Sequence, residues 1–481
     1  MVVLTSISME DIINPNTTGI VTIIFDQSIG EPNLNAYVSL NPSYIGTIGD
    51  VTSADGGVTY TGTVTRSADI NRLGNTVELD YSGLTGNSEF KVLDDESLVS
   101  ALISEDVRID GSTNYFYSGT SLDVSTDGKT IIFASRFYNS DQGSVRVMEK
   151  IGENWVQKGQ YLYGSGSGVM FGECVSMSGD GNIIAVGAPR EDVGGSNTGQ
   201  VKVYEYDGTN WVQKGSDING EHSNDESGMS LYLSRDGSVV AIGAQNNDDV
   251  AENSGHVRVF EFNGTNWIQK GSDIDGVSVN SLFAQSISMS NNNLKIALGL
   301  QWMSVAVGQV RVYEYNGTNW IQYGGNIDGV VDGGNGEQFG SSVSMSSDGS
   351  RVAIGAPESN NPNTRTGRVC VYEFNGTTWS QIGSSIRGSN QNAYFGQSVS
   401  ISDAGDKLLT GGKYQGVGGE VKLYTYDGSD WVQEGDTLVT TNANERLGTR
   451  IAISGDGETF VASATDGNNN FGYIKVYKRI N

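Results

Sequence analysis

The chain has 481 residues, a formal net charge of −27, and 66 glycines against 6 prolines. Charge of that sign disfavours nucleic acid or an anionic membrane as a partner, and the two cysteines, Cys174 and Cys370, exclude a disulfide framework or a thiolate zinc site. Asn, Asp, Ser and Thr between short apolar runs, with no sustained helical period, predict an all-β fold of many strands and tight turns.

Residues 1–98 show short alternating runs such as Val3 to Met9, Ile20 to Asp26 and Val58 to Val64, separated by turn signals such as Asn14-Pro15-Asn16 and Thr85-Gly86-Asn87. Six such runs in about 100 residues predict a small antiparallel β-sandwich. The segment resembles the immunoglobulin-like modules of microbial and viral surface proteins, although it has neither a cysteine pair nor a tryptophan. Its expected role is anchor or spacer. Met1 to Met9 has no basic region or long apolar core, so no signal peptide is expected, and no apolar run is long enough for a transmembrane helix.

Residues 99–481 repeat. The first-turn residues Asp127, Asp180, Asp236, Asn292, Asp348, Ala404 and Asp456 mark seven units 52 to 56 residues apart. Each unit reads as four strands: a run such as Val175-Ser-Met-Ser178, an Asp-Gly turn, a run such as Ile184-Ala-Val-Gly187, a loop, and a run such as Val201 to Tyr206. An Asp-Gly or Asn-Gly pair (Asp207-Gly208, Asn263-Gly264, Asn316-Gly317) then predicts a two-residue hairpin into a fourth strand carrying Trp155, Trp211, Trp267, Trp320, Trp379 or Trp431. Six tryptophans against seven third strands leave the last unit one strand short. Val107 to Gly111 precedes the first unit as Ser272 to Gly276 precedes the fourth, so residues from about 99 to 110 are expected to supply that strand. The prediction is a seven-bladed β-propeller of four-stranded blades, closed by the N-terminal strand so that sheet edges are hidden.

Phe171-Gly172 with Gly187-Ala188-Pro189, and Phe339-Gly340 with Gly355-Ala356-Pro357, resemble the FG-GAP repeat of the integrin α-subunit propeller. Some first-turn loops of that family hold calcium. Here Ser178-Gly-Asp-Gly181 and Ser346-Ser-Asp-Gly349 are too short to wrap an ion with six or more oxygens, so calcium is not supported and no metal or other cofactor is expected.

Catalytic groups are not visible in the pattern. His222 and His256 lie in neighbouring units with no ligand spacing and read as surface histidines, and no nucleophile–base or phosphate-cradling motif occurs. The expectation is therefore a protein without enzymatic activity, with a glycan-active enzyme as the lesser alternative. The sequons at Asn263, Asn316 and Asn375 read as turn residues, because Asp stands at the equivalent place in other units.

First-to-second and third-to-fourth turns are uniform and share one face of a propeller; second-to-third loops and inter-unit links share the other and vary. On that face Trp302, Met303, Arg365, Arg387, Tyr394 and Tyr414 are the candidate binding residues, since an aromatic on a polar loop can stack on a sugar or anchor a partner. The expected partner is a host glycan or protein receptor, or a neighbouring capsid or surface protein. The expected setting is a virion surface or the extracellular space, and a purely structural component is the alternative.

Overall fold

The computed structural model describes residues 102–480, apart from 112–116, 301–306, 332–335, 361–363, 389, 414–417, 441, 443–444 and 468–470, and of residues 1–101 the strands alone. By proximity the chain divides into two compact units, 1–104 with 479–481, and 105–478.

In the first unit Thr18–Phe25 lies between Val3–Met9 and Thr59–Arg66, both antiparallel to it. Gly46–Ile48 and Thr52–Ser53 pair with Thr59–Arg66, and Lys91–Val92 runs parallel to Val3–Met9. Val38–Asn41 and Thr76–Leu79 form a separate antiparallel pair. These pairings are all-β; they do not by themselves carry an immunoglobulin-like identity.

The second unit is a ring of seven antiparallel sheets. Blades one to six span 121–163, 175–219, 230–275, 283–328, 342–387 and 395–439; blade seven is Leu447–Ile453, Thr459–Ala464 and Tyr473–Ile480 with Leu102–Asp110 on its outer edge. The closure expected from the sequence is therefore present. The first strand of every blade packs against those of both neighbours, and blade one meets blade seven. The apolar core lies between blades: Ile132 and Val147 of blade one bury against Met177, Ile184 and Val186 of blade two.

The Val-Ser-Met-Ser pattern has a polar purpose. Its first serine lies on an inner strand and bonds the next blade: Ser176 Oγ accepts from Leu233 N (3.1 Å), Ser288 from Met345 N (3.0 Å), Ser344 from Ile401 N (3.0 Å) and Ser400 from Ile453 N (3.1 Å). Its second serine ties its own turn, donating to Asp180 Oδ1 (2.6 Å) and accepting from Ile183 N (2.9 Å) at Ser178. Backbone bonds also run from turn to turn around the axis: Asn291 to Ser347, Ser347 to Asp403, Asp403 to Gly455, Gly455 to Thr126, Thr126 to Gly179 and Gly179 to Arg235, at 2.7 to 3.0 Å. The Arg235 guanidinium of blade three reaches blades one and six, donating to Val124 O (3.3 Å) and lying 3.9 Å from Asp403 Oδ1.

The tryptophans clasp successive blades. Trp211, Trp267, Trp320, Trp379 and Trp431 each donate the indole N–H to a backbone carbonyl of the preceding blade, at Lys158, Lys214, Lys270, Tyr323 and Ile382. Trp155 has the closing strand before it and donates to Asp106 Oδ2 (2.8 Å), which also pairs with Lys150 Nζ (2.7 Å). Gly215 makes room for the clasp: a Cβ there would meet Trp267 Cδ1 at 2.9 Å.

One local expectation is corrected. In blades two to six the third-to-fourth connections contain four residues rather than two, since Tyr206 pairs with Trp211 and the later blades follow suit; in blade one, where Ile151 pairs with Asn154, there are two. The Asp207 side chain accepts from both Thr209 N and Asn210 N (2.8 Å each), and Asp207 N donates to Asn210 O, so the longer loop satisfies itself. Asn263 and Asn316 do the same, which explains the asparagines as turn residues.

Candidate functional site

Antiparallel connection puts the Asp-Gly turns on one face of the ring and the second-to-third loops and links on the other. On the turn face the aspartates are consumed by the fold. Asp127, Asp180, Asp236, Asn292, Asp348 and Asp456 each accept from a serine hydroxyl two residues earlier and from a backbone N–H two residues later. In the sixth turn, where Ala404 takes that place, Ser402 Oγ donates to Asp406 Oδ1 instead (2.9 Å).

The loop face holds the predicted binding residues that can be placed. Arg365, between the second and third strands of blade five, pairs with Glu358 Oε2 (3.0 Å), and its guanidinium lies 5.7 Å from the Tyr394 ring centroid. Lys413 Nζ lies 5.2 Å from the same ring. Tyr394 itself has φ +52°, a left-handed conformation held immediately before the first strand of blade six. Blades five and six thus bring Arg365, Tyr394 and Lys413 together. Arg387 is not in a loop: it ends the strand Trp379–Arg387 and donates to Ser359 Oγ (3.2 Å). Trp302, Met303 and Tyr414 lie outside the described residues.

The position that opens each third strand, at the rim of this face, is more informative than the loops. Gln200 donates to Asp217 Oδ2 (3.1 Å) and Asn219 Oδ1 (2.8 Å), and Gln309 donates to Asp328 Oδ1. In blade five the residue is Arg368, which makes a two-pronged pair with Glu337 from the entering link; Glu337 is wholly buried. In blade three it is His256, 1% exposed and therefore not the surface histidine expected from the sequence. Four acidic groups border it. Glu221 comes from the link 220–229, Asp249 from the loop, and Asp273 and Asp275 from the end of the blade. His222, 65% exposed, reaches the same Asp249 at 3.5 Å.

Burial pushes the His256 imidazole below its ordinary value, with Arg258 adding to the effect. Burial and the charges of Asp273 and Asp249 hold the Asp275 carboxyl up; burial also raises Glu221, against the pull of Arg258. The sequence offered one overlooked signal: alignment of the units places His256 where Gln200 and Gln309 stand.

Cys370 is buried. Cys174 is half-buried and immediately precedes the inner strand Val175–Met177, at the position where other blades carry Ser230, Ser286, Ser342 and Ser398; its thiol faces Leu231 O at 3.7 Å, and burial pushes its pKa up to about 11. It is a poorer donor in a serine's place, not a reactive thiol.

Residues 331–372 match the FG-GAP repeat family model. The match covers the approach to blade five and its first three strands, one of the two units in which the sequence carries both halves of the motif. FG-GAP repeats on a propeller are an interaction or adhesion type of architecture. No curated protein matches the chain in sequence. Among solved structures the chain is similar to a proposed 6-phosphogluconolactonase from Bacteroides uniformis, 12% identical over 67% of this chain and 86% of that one, with a TM-score of 0.47. A likeness of that degree carries no argument about activity.

Proposed function

We propose that the protein is a surface-exposed recognition or adhesion protein without enzymatic activity, that its loop face meets a glycan or protein receptor, and that a virion surface is its setting. In this reading residues 1–98 form an immunoglobulin-like anchor or spacer, and residues 99–481 present the binding face. The observation that carries it is the Arg365–Tyr394–Lys413 cluster. A tyrosine ring flanked by two cations at the rim of a rigid, clasped ring suits stacking on a sugar or packing against a partner's side chain.

The test is binding of the full chain to a glycan array and to candidate host cells, beside Arg365→Ala, Tyr394→Ala and Trp302→Ala variants. Saturable binding lost in one or more variants supports the reading. Absence of binding by the parent chain to every surface overturns it in favour of a structural component whose loop face is covered by neighbouring subunits.

A further inference from the structure

Carboxylates on an acidic surface are ordinarily solvated, and their number alone says nothing about ions. Blade three differs because a buried imidazole nitrogen faces them. His256 Nδ1 has no hydrogen-bond partner, yet it lies 3.8 Å from Glu221 Oε2, 4.0 Å from Asp249 Oδ2 and 3.9 Å from Asp273 Oδ2. A buried polar atom without a partner is rare and calls for an explanation. The four side chains offer one donor atom apiece, all within 4.8 Å of one another. Donors opposite each other across an ion at ordinary bond lengths of about 2.0–2.2 Å would be a little over 4 Å apart.

The outer contacts hold these donors in place. Arg258 Nη1 lies 3.3 Å from Glu221 Oε1, leaving Oε2 for the cluster. Gln269 Nε2 donates to Asp273 Oδ1 and leaves Oδ2 turned to the histidine. Asn247 Nδ2 donates to Asp249 Oδ2 (3.2 Å) and to the buried Asp225 (3.2 Å). Such supporting bonds orient ligands in metal sites. Comparison within the ring sharpens the point. In blade two the amide of Gln200 supplies N–H donors to both acceptors, and in blade five Arg368 supplies a full positive charge to one carboxylate. In blade three the same position offers the imidazole of His256, whose Nδ1 has no hydrogen-bond partner, to the carboxylates of Glu221, Asp249 and Asp273.

We propose that Glu221, Asp249, His256 and Asp273 form a binding site for a divalent transition cation, of the Mn2+ or Zn2+ class, on the loop face between the link 220–229 and blade three. One imidazole nitrogen with three carboxylate oxygens suits those ions; calcium favours an all-oxygen shell of six to eight. The site is distinct from the turn-face loops, whose aspartates are bound within their own turns. By joining the entering link to the third strand and the blade end, the ion would fix the local shape of the loop face.

The test is titration of the chelator-treated full chain with Mn2+, followed by the paramagnetic resonance signal of the free ion, and with Zn2+ and Ca2+ by thermal unfolding. The expected result is one saturable Mn2+ site, a higher unfolding temperature with Mn2+ or Zn2+ than with Ca2+, and at least about tenfold weaker binding in Asp249→Asn and Glu221→Gln. His256→Gln installs the residue of blade two, so it should fold and still lose the site. Asp192→Asn, an exposed acid in the matching loop of blade two, should bind as the parent does. No saturable binding up to about 1 mM, or equal binding by the parent and all three site variants, overturns the proposal. Neither outcome depends on the receptor assay, which does not measure ion binding.

Discussion

The two faces of the ring use the same kinds of residue to opposite ends. On the turn face, acid after acid is paired with a serine hydroxyl and a backbone N–H of its own turn, and backbone bonds link one turn to the next around the axis. On the loop face, charge is settled blade by blade: an amide in blade two, a buried ion pair in blade five, a surplus of carboxylates around His256 in blade three. Uniformity marks the side that holds the ring together. Departure from it falls on the side where the partner and the ion are proposed to bind.

The contrast can be broken hardest in blade five. Glu337→Gln leaves Arg368 buried without its countercharge, and should cost about 3–5 kcal/mol in denaturant unfolding. An unchanged midpoint would show that the pair is not buried in solution. Next in size is a clasp. Trp267→Phe keeps the ring but strands the carbonyl of Lys214, for an expected loss of about 1–3 kcal/mol.

A turn should matter less. Ser346→Ala removes the hydroxyl that joins Asp348 to Arg351 N, costing about 1 kcal/mol by thermal unfolding. The turn acids also predict a pH dependence. Partial burial raises Asp127, Asp180, Asp236 and Asp348, but hydrogen bonds from serine and backbone donors outweigh it and hold each below its ordinary value. Because the folded value is the lower one, their stabilisation is full above about pH 4 and is lost as pH falls through the depressed values. Asp180→Asn and Asp236→Asn should each reduce the fall in unfolding midpoint below that pH; a slope identical to the parent's would remove the turns from the account. The smallest effect is expected at the sequons. Thr265→Ala destroys one while leaving the Asn263 turn bonds intact, so stability should move by less than about 0.5 kcal/mol.

Much of the ring was legible in the sequence because its periodicity is covalent: the spacing of Asp127 to Asp456, and six tryptophans against seven third strands, dictate blade number and closure. The hairpins were misjudged by two residues, since an Asn-Gly pair signals a turn but does not show that the asparagine side chain will cap two further amides. The blade-three cluster was not legible. His256 and Asp249 are close in sequence, but Glu221 and Asp273 converge on them only when the link and the blade end fold beside the third strand. Arg387 falls in a strand rather than a loop because the fourth strand of blade five runs unbroken from Trp379 to Arg387, whereas those of blades two to four end at Gln213, Gln269 and Gln322.

The strand that closes blade seven has a bearing on how the molecule is made. Lys475 meets Glu105 across 370 positions of chain, and Asp106 binds Lys150 and Trp155 of blade one on its other side. During synthesis this strand emerges early and its sheet last, so a segment suited to edge pairing must wait while six blades form. Long-range pairing of this kind is slow, and an unfilled edge is where one chain can capture another. The latch that makes the finished ring seamless is thus also the point at which two growing copies could exchange strands, and dilution during refolding should favour closure within one chain.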